Sequence, residues 1–306
     1  EVLLAVGKST GLQFAPMKAT GNAIDVYRIV DNRLSLLHST PVDGVVAALT
    51  QCQGRLLAGV GGKVALFDMG KKQLLRKSQV QVGGGGMVKT VAAAGERIFV
   101  GTIGDSVKVL KLDLSSMKMF VVCDDVMPRN IVSTAVLDVN TIAASDRFGN
   151  IVVLRCPKNS VEEAVAQESG TYNKTGASFE TAAHYYVGEV VVGMRRAALV
   201  QGGSEAIIYA TVTGRLGALL PLKTKDDISL FVGLQKKIRE KGRRFVNRDP
   251  VVYRSMYAPV SHVVDSEILK GWGSLKLEDQ KEIAEDLDHT VMSVQKKLEN
   301  MFSELL

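Results

Sequence analysis

The first 222 residues of the chain consist of short runs in which apolar positions alternate with polar ones. Glycine, asparagine or aspartate bounds each run, and because these are turn residues the pattern predicts β-strands rather than helices. Four such strands are predicted at residues 54–60, 96–102, 140–146 and 205–211, each followed by a turn and a second, alternating strand. The pattern therefore predicts a mainly β region built from antiparallel strands.

The alternating strands open on an aliphatic residue that recurs along the chain. These marker residues, separated by 40, 43, 44 and 65 positions, are Ile24, Val64, Val107, Ile151 and Leu216. A period of about 40–45 residues with four strands per unit is typical of a β-propeller blade. The longest separation contains a polar insertion at 158–180. An antiparallel sandwich is the rival architecture, but it does not explain the period.

The repeats predict an incomplete β-propeller of about four to five blades, whereas the common ring has about seven. Closing such a ring requires further blades, so we expect the chain to be a fragment or to need sequence from elsewhere. An open ring exposes unpaired strand edges, which promote aggregation. The chain made alone is therefore expected to be poorly soluble.

Beyond residue 224 the apolar spacing changes to that of helices. The predicted helices occupy residues 226–242, 274–288 and 293–306. One face of the first helix is apolar, and its members are Leu230, Phe231, Leu234 and Ile238. Ser274 is the predicted N-cap of the second helix. The sequence thus predicts two domains, propeller blades at 1–224 and a small α-helical domain at 225–306.

The charges of the helical region are unevenly distributed. Residues 225–256 contain nine basic and four acidic side chains, and residues 257–306 contain five basic and ten acidic ones. The net charge of +6 over the whole chain is only weak evidence for nucleic-acid binding. A basic segment followed by an acidic one favours pairing within the protein or with a protein partner.

The sequence contains no recognisable catalytic or ligand-binding motif. Gly7-Lys8-Ser9 matches the end of a phosphate-binding loop, but Val2 stands where that motif requires its first glycine, and no helix is predicted to follow. The histidines lack metal-binding spacing, and the cysteines, predicted to be buried in a reducing compartment, are Cys52, Cys123 and Cys156. No apolar run approaches the ~20 residues of a membrane span. We therefore expect no enzymatic activity, no cofactor, no metal and no membrane partner.

Two stretches carry a family resemblance. Residues 53–77, QGRLLAGVGGKVALFDMGKKQLLRK, and residues 144–157, ASDRFGNIVVLRCP, closely resemble blades of the splicing factor 3b subunit 3 family. The similarity is collinear over essentially the whole chain and includes RDPVVYRSMYAPVSHVVDSEIL at 248–269. The wider family includes the large subunit of damaged-DNA-binding protein and the largest subunit of the cleavage and polyadenylation specificity factor.

The resemblance implies that the chain forms the C-terminal part of such a protein, namely most of its third propeller and the helical domain. It implies a non-catalytic scaffold of the splicing factor 3b complex, located in the nucleus, that organises protein subunits of the branch-site ribonucleoprotein. The implied partners are the HEAT-repeat subunit, the small subunits beside it and the remaining propellers of the same protein. Nucleic acid would be contacted mainly through the complex.

Candidate interface residues lie in and before the segment 247–265, which connects the first predicted helix to the next. Aromatic and arginine side chains dominate the energetics of protein interfaces, and those of this region are Tyr253, Arg254 and Tyr257, with Pro259 beside them. Arg243 and Arg244 are candidates on charge alone. The alternative interpretation is that these residues anchor the helical domain to the blades.

The sequence is compatible with two other kinds of function. Other members of the wider family suggest an adaptor for a cullin ubiquitin ligase in DNA repair, or a subunit for mRNA cleavage and polyadenylation. The basic segment 236–244 suggests direct RNA binding, although such a segment is more often the solvated face of a helix.

Overall fold

The computed structural model describes residues 3–14, 17–31, 33–158, 177–199, 201–241 and 248–303. Strands predominate through Leu219 and helices from Lys225 onwards, so the protein is mainly β with a helical C-terminal region. It divides into two compact units, Glu1–Phe148 with Val153–Thr181, and Gly149–Val152 with Ala182–Leu306. The division at 224 into propeller blades and a helical domain stays a prediction.

The first compact unit is built from antiparallel sheets that follow one another along the chain. The first sheet has the order β1 (Leu3–Thr10), β4 (Gly21–Val30), β5 (Arg33–Pro41), and a small hairpin of β2 (Gln13–Phe14) and β3 (Met17–Lys18) joins its first two strands. The second sheet consists of β6 (Val46–Cys52), β7 (Arg55–Val60), β8 (Lys63–Asp68) and β9 (Leu75–Gln81).

The third sheet consists of β10 (Val88–Ala94), β11 (Arg97–Thr102), β12 (Val107–Asp113) and β13 (Lys118–Asp124). After it, β14 (Ile131–Val136) pairs antiparallel with β15 (Thr141–Asp146). The next strands along the chain are β16 (Asn150–Arg155), β17 (Ala177–Ser178), which pairs parallel with β13, and β18 (Glu180–Tyr186).

The second compact unit adds a three-stranded antiparallel sheet and the helices. Its strands are β19 (Val191–Ala198), β20 (Glu205–Thr211) and β21 (Leu216–Leu219). Its helices are α1 (Lys225–Lys241), α2 (Ser266–Lys270), α3 (Leu277–Asp286) and α4 (Val291–Ser303), and short 3₁₀ turns occupy Pro250–Arg254 and Gly271–Ser274.

The strand predictions are confirmed in every repeat. The four apolar strands are β7, β11, β15 and β20, and the marker residues lie in β4, β8, β12, β16 and β21. The polar insertion that lengthens the last separation falls mostly on residues 159–176, outside the described residues. Cys52, Cys123 and Cys156 are buried, as predicted.

The three predicted helices are confirmed in position as α1, α3 and α4, with one corrected boundary. Ser274 is not the N-cap of α3, because its hydroxyl donates to the carbonyl of Gly271 and closes a 3₁₀ turn. Lys276 takes the N-cap position without a side-chain hydrogen bond. Helix α2 and the 3₁₀ turn after it were not predicted, because they are too short to show an apolar period.

Helix α1 begins with a reciprocal cap. The Thr224 hydroxyl donates to the Asp227 carboxylate at 2.5 Å, and the Asp227 backbone N–H donates back to the Thr224 hydroxyl at 3.1 Å. The second bond satisfies a backbone donor that the first turn of a helix leaves free, and the first bond holds the two side chains together. The predicted apolar face of α1 is buried, and it packs with Trp272, Ile283, Val294 and Leu298 into the core of the helical region.

The same type of contact recurs between successive sheets of the first unit. A glycine of one sheet faces an aliphatic side chain on the first strand of the next, and the pairs are Gly7 with Val46, Gly59 with Val88, and Gly101 with Ile131. A Cβ built on these glycines would lie 2.8, 2.5 and 2.8 Å from the facing methyl carbon. The strands β1, β6, β10 and β14 contact one another in that order. These contacts bring the sheets of the first unit close together near their first strands.

Substitution of Gly59 by alanine is expected to destabilise the chain by about 1–3 kcal/mol, because the new methyl group collides with Val88. Gly193 on β19 is the matched control, since a Cβ there meets no atom of the described residues within 4 Å. Denaturant unfolding of the two alanine variants compares them. Equal effects at both positions would assign the cost to the strand backbone and not to the contact between sheets.

Candidate functional site

The candidate site lies in the second compact unit, on the segment Asp249–Asp265 between α1 and α2. Asp249 begins the segment: its carboxylate accepts from the backbone N–H of Val251 at 3.0 Å and pairs through both oxygens with the guanidinium of Arg239 on α1. Asp265 ends the segment, and its backbone N–H donates to Gln235 of α1 at 2.6 Å. Both ends of the segment are thereby fixed to the same helix.

The middle of the segment is attached to β18. His184 and Ser261 exchange two backbone hydrogen bonds of 3.0 Å each. The rings of His184 and Tyr257 meet edge to face, with their centroids 5.9 Å apart. The segment is therefore held by strand as well as by helix, although most of it has no regular secondary structure.

Arg254 is directed inward. Its Nε donates to the Asp265 carboxylate at 2.7 Å, and its guanidinium carbon lies 5.4 Å from the centre of the Tyr185 ring. The two charged side chains are 19% and 8% exposed. Asp265 also caps α2 by accepting from the backbone N–H of Glu267 at 2.9 Å. Arg254 thus links the 3₁₀ turn, β18 and the start of α2 within the second unit.

Burial has the largest effect on the pKa values of the two tyrosines beside this ion pair. It raises the pKa of Tyr185 above its usual value, and the negative charge of Asp265 raises it further. Burial raises the pKa of Tyr209 in the same way. Both rings therefore stay neutral at physiological pH, and Tyr185 is the ring against which the Arg254 guanidinium lies.

The exposed side of the segment is apolar. Five neighbouring side chains form it, and we call them the apolar patch: Val252, Tyr253, Met256, Tyr257 and Pro259. Val252 is 58% exposed, Met256 50%, Tyr253 45% and Tyr257 43%. The Met256 sulfur accepts from the Asn150 amide at 3.8 Å, which adds a further attachment. Large apolar side chains that project from a fixed backbone are typical of interface hot spots.

The structure separates the candidate residues that the sequence grouped together. Tyr253, Tyr257 and Pro259 lie on the exposed side, whereas Arg254 takes part in the intramolecular ion pair. Arg243 and Arg244 lie outside the described residues. The sequence interpretation missed Val252 and Met256. Their apolar character beside the two tyrosines was the feature that could have identified them.

The described part of the basic segment 236–244 is largely paired within the protein. Lys237 binds Asp286 at 2.5 Å, Lys241 binds Glu282 and Asp279, and Arg239 binds Asp249. The hydrogen bond between Lys237 and Asp286 raises the pKa of the amine and lowers that of the carboxylate. The ion pairs of Lys237 and Lys241 join the basic segment to the acidic one, whereas Asp249 belongs to the basic segment itself, and all three cations are engaged by carboxylates.

Metal-binding clusters and membrane-spanning helices are both absent from the described residues. No group of three or more histidine, cysteine, aspartate or glutamate side chains there is arranged to hold a metal ion. No helix there has the length and apolar character needed to cross a membrane.

Comparison with known proteins matches residues 1–274 to the protein family described as the CPSF A subunit region. The chain is 35% identical over 316 aligned positions to "Probable splicing factor 3B subunit 3" of Dictyostelium discoideum, which covers 100% of the chain and 25% of the relative. It is 35% identical to "Spliceosome-associated protein 130 A" of Arabidopsis thaliana and 34% identical to "Splicing factor 3B subunit 3" of Drosophila melanogaster, over 99% and 97% of the chain. The chain spans about a quarter of the length of these relatives.

Proposed function

The chain belongs to the family of the CPSF A subunit region, and on that premise we propose that it acts in pre-mRNA splicing as a non-catalytic scaffold. Its support is the similarity, at 34–35% identity, to proteins whose names are those of splicing factor 3B subunit 3 and a spliceosome-associated protein. The proposed location is the nucleus. The proposed partners are the HEAT-repeat subunit and the small subunits of splicing factor 3b, together with the remaining propellers of the same protein.

A propeller is the architecture we propose for the sheets. The repeated four-stranded unit and the glycine contacts between successive sheets support it. A propeller suits a scaffold because its blades are rigid and present broad faces of loops.

The apolar patch is the proposed docking surface within the second unit. The observation that carries this proposal is that Asp249, Arg254 and Asp265 hold the segment from inside while Val252, Tyr253, Met256 and Tyr257 stay about half exposed. A segment ordered before binding loses less conformational entropy when a partner binds. The ion pairs of Lys237, Arg239 and Lys241 weigh against the alternative of RNA binding through the basic segment, because those charges are already engaged.

Replacing Tyr253 with alanine is expected to weaken binding to the recombinant HEAT-repeat and small subunits of splicing factor 3b by about tenfold or more, as for a hot-spot aromatic residue. The melting temperature should stay within about 1 °C of the parent, because surface substitutions of this kind change stability little. Calorimetric titration and a thermal melt measure the two quantities.

Leu277→Ala is the control for this experiment, because Leu277 is also exposed in the second unit but lies on α3, outside the apolar patch. Lost binding with unchanged melting assigns Tyr253 to the interface. A lowered melting temperature with unchanged binding would instead make Tyr253 an anchor of the fold. Unchanged binding in the double variant of Tyr253 and Tyr257 would remove the apolar patch from the proposal.

A further inference from the structure

A cavity of about 450 Å³ lies in the first compact unit, between the first and second sheets. Its walls continue the core that the two sheets share, and they include Ala5, Val26, Leu56 and Phe67. Leu3 and Met69 also line the cavity and are 40% and 45% exposed, so they mark its mouth. The volume falls within the ~300–1,000 Å³ of pockets that hold ligands.

Positive charge lies in the lining of this cavity and on the turn beside it. Arg55 lines it and lies 3.5 Å from the Asp68 carboxylate. Lys71 and Lys72 follow Met69 on the turn between β8 and β9, and both are exposed. Within the described part of the chain, neither lysine forms an ion pair. Arg55 is thus part of the lining, and the two lysines lie on the turn that joins Met69 to Leu74, both of which line the cavity.

We propose that this cavity is a docking site for an acidic peptide segment of a protein partner, which inserts one large apolar side chain. The apolar walls would bury that side chain, because removing apolar surface from water is favourable. Lys71 and Lys72 would attract the flanking carboxylates and orient the segment. Met69 at the mouth suits such a site, since its flexible side chain adapts to the shape of the inserted group.

A protein segment fits this site better than a nucleic acid does. Single-stranded nucleic acids are held by bases that stack on exposed aromatic rings. The aromatic ring of this cavity, Phe67, is only 4% exposed and forms part of the core. The proposal concerns the first unit and is independent of the apolar patch, so the outcome of the Tyr253 experiment does not decide it.

The test uses the whole 306-residue chain and a fluorescein-labelled peptide of glutamate and aspartate with one central phenylalanine. Companion probes are the same peptide with a central alanine, the same peptide with lysine in place of every acid, and labelled oligouridylate. Fluorescence anisotropy at low and high salt reports the affinity of each probe. The phenylalanine peptide is expected to bind about tenfold more tightly than the alanine peptide, and the lysine peptide is expected not to bind.

Variants at the mouth test whether binding occurs at this cavity. Met69→Glu, and the double change Lys71→Glu with Lys72→Glu, are each expected to weaken binding of the phenylalanine peptide about tenfold. Lys118→Glu is the control, an exposed lysine at the start of β13 whose change lowers the net charge by half as much as the double change and by more than Met69→Glu. Its effect is expected to stay below about twofold. Circular dichroism melts verify that every variant is folded.

Several outcomes would overturn the proposal. Equal affinity for the phenylalanine and alanine peptides would mean that only charge is recognised. Equal losses in Lys118→Glu and in the variants at the mouth would place binding elsewhere. Tighter binding of oligouridylate than of the peptide would assign the site to nucleic acid, and no binding of any probe would leave the cavity without a docking role.

Discussion

Replacing Arg254 with alanine is expected to lower the free energy of unfolding by about 3 kcal/mol. The Asp265 carboxylate is 8% exposed, and without Arg254 it keeps a buried charge that has lost its cation. The cation–π contact with Tyr185 is lost at the same time. Denaturant unfolding can be followed through the fluorescence of Trp272, because the chain contains one tryptophan.

Arg248→Ala is the matched control for this prediction. Arg248 is exposed and precedes Asp249, so its removal is expected to cost less than about 0.5 kcal/mol. Arg254→Lys should fall between the two, because lysine keeps the charge but not the planar guanidinium that stacks on Tyr185. Equal stability of the alanine variants at 248 and 254 would contradict the anchoring role and return Arg254 to the list of interface candidates.

The strands were predictable because their signal is local. Each marker residue follows a turn of glycine or aspartate and opens an alternating run, and the resulting strand needs no knowledge of its neighbours. The apolar face of α1 was predictable for the same reason. The role of Ser274 was not predictable, because a serine can either cap the helix that follows or hydrogen-bond to the turn before it. The 3₁₀ turn at Gly271–Ser274 selects the second role.

The sequence singles out the segment of the candidate site by its residue types, but it does not determine the direction of the side chains. Arginine and tyrosine are frequent both at interfaces and in buried cation–π pairs, so residue type alone does not separate the two roles. Arg254 turns inward because Asp265 and Tyr185 meet it there, and these partners come from different elements of the chain. Tyr253 is its sequence neighbour and stays exposed.

Replacing Trp272 with alanine is expected to cost about 3–5 kcal/mol, the largest loss among the changes considered. Trp272 is 2% exposed and belongs to the core formed with Leu234, Ile283 and Leu298. Its backbone carbonyl also accepts from the Gln280 amide at 2.8 Å, which ties α3 to the 3₁₀ turn. Far-UV circular dichroism measures the unfolding, since this variant has no tryptophan fluorescence.

Trp272→Phe is the conservative control, and its loss should be smaller, about 1.5 kcal/mol, because most of the aromatic volume remains. If the alanine variant lost no more stability than the phenylalanine variant, the helical core would not depend on this side chain.

Trp272→Ala also tests the domain boundary predicted at 224. Because β19–β21 group with the helices in one compact unit, hydrogen exchange in Trp272→Ala should accelerate in these strands as well as in α1 and α3. Faster exchange confined to the helices would instead favour a helical domain that unfolds independently from 225 onwards.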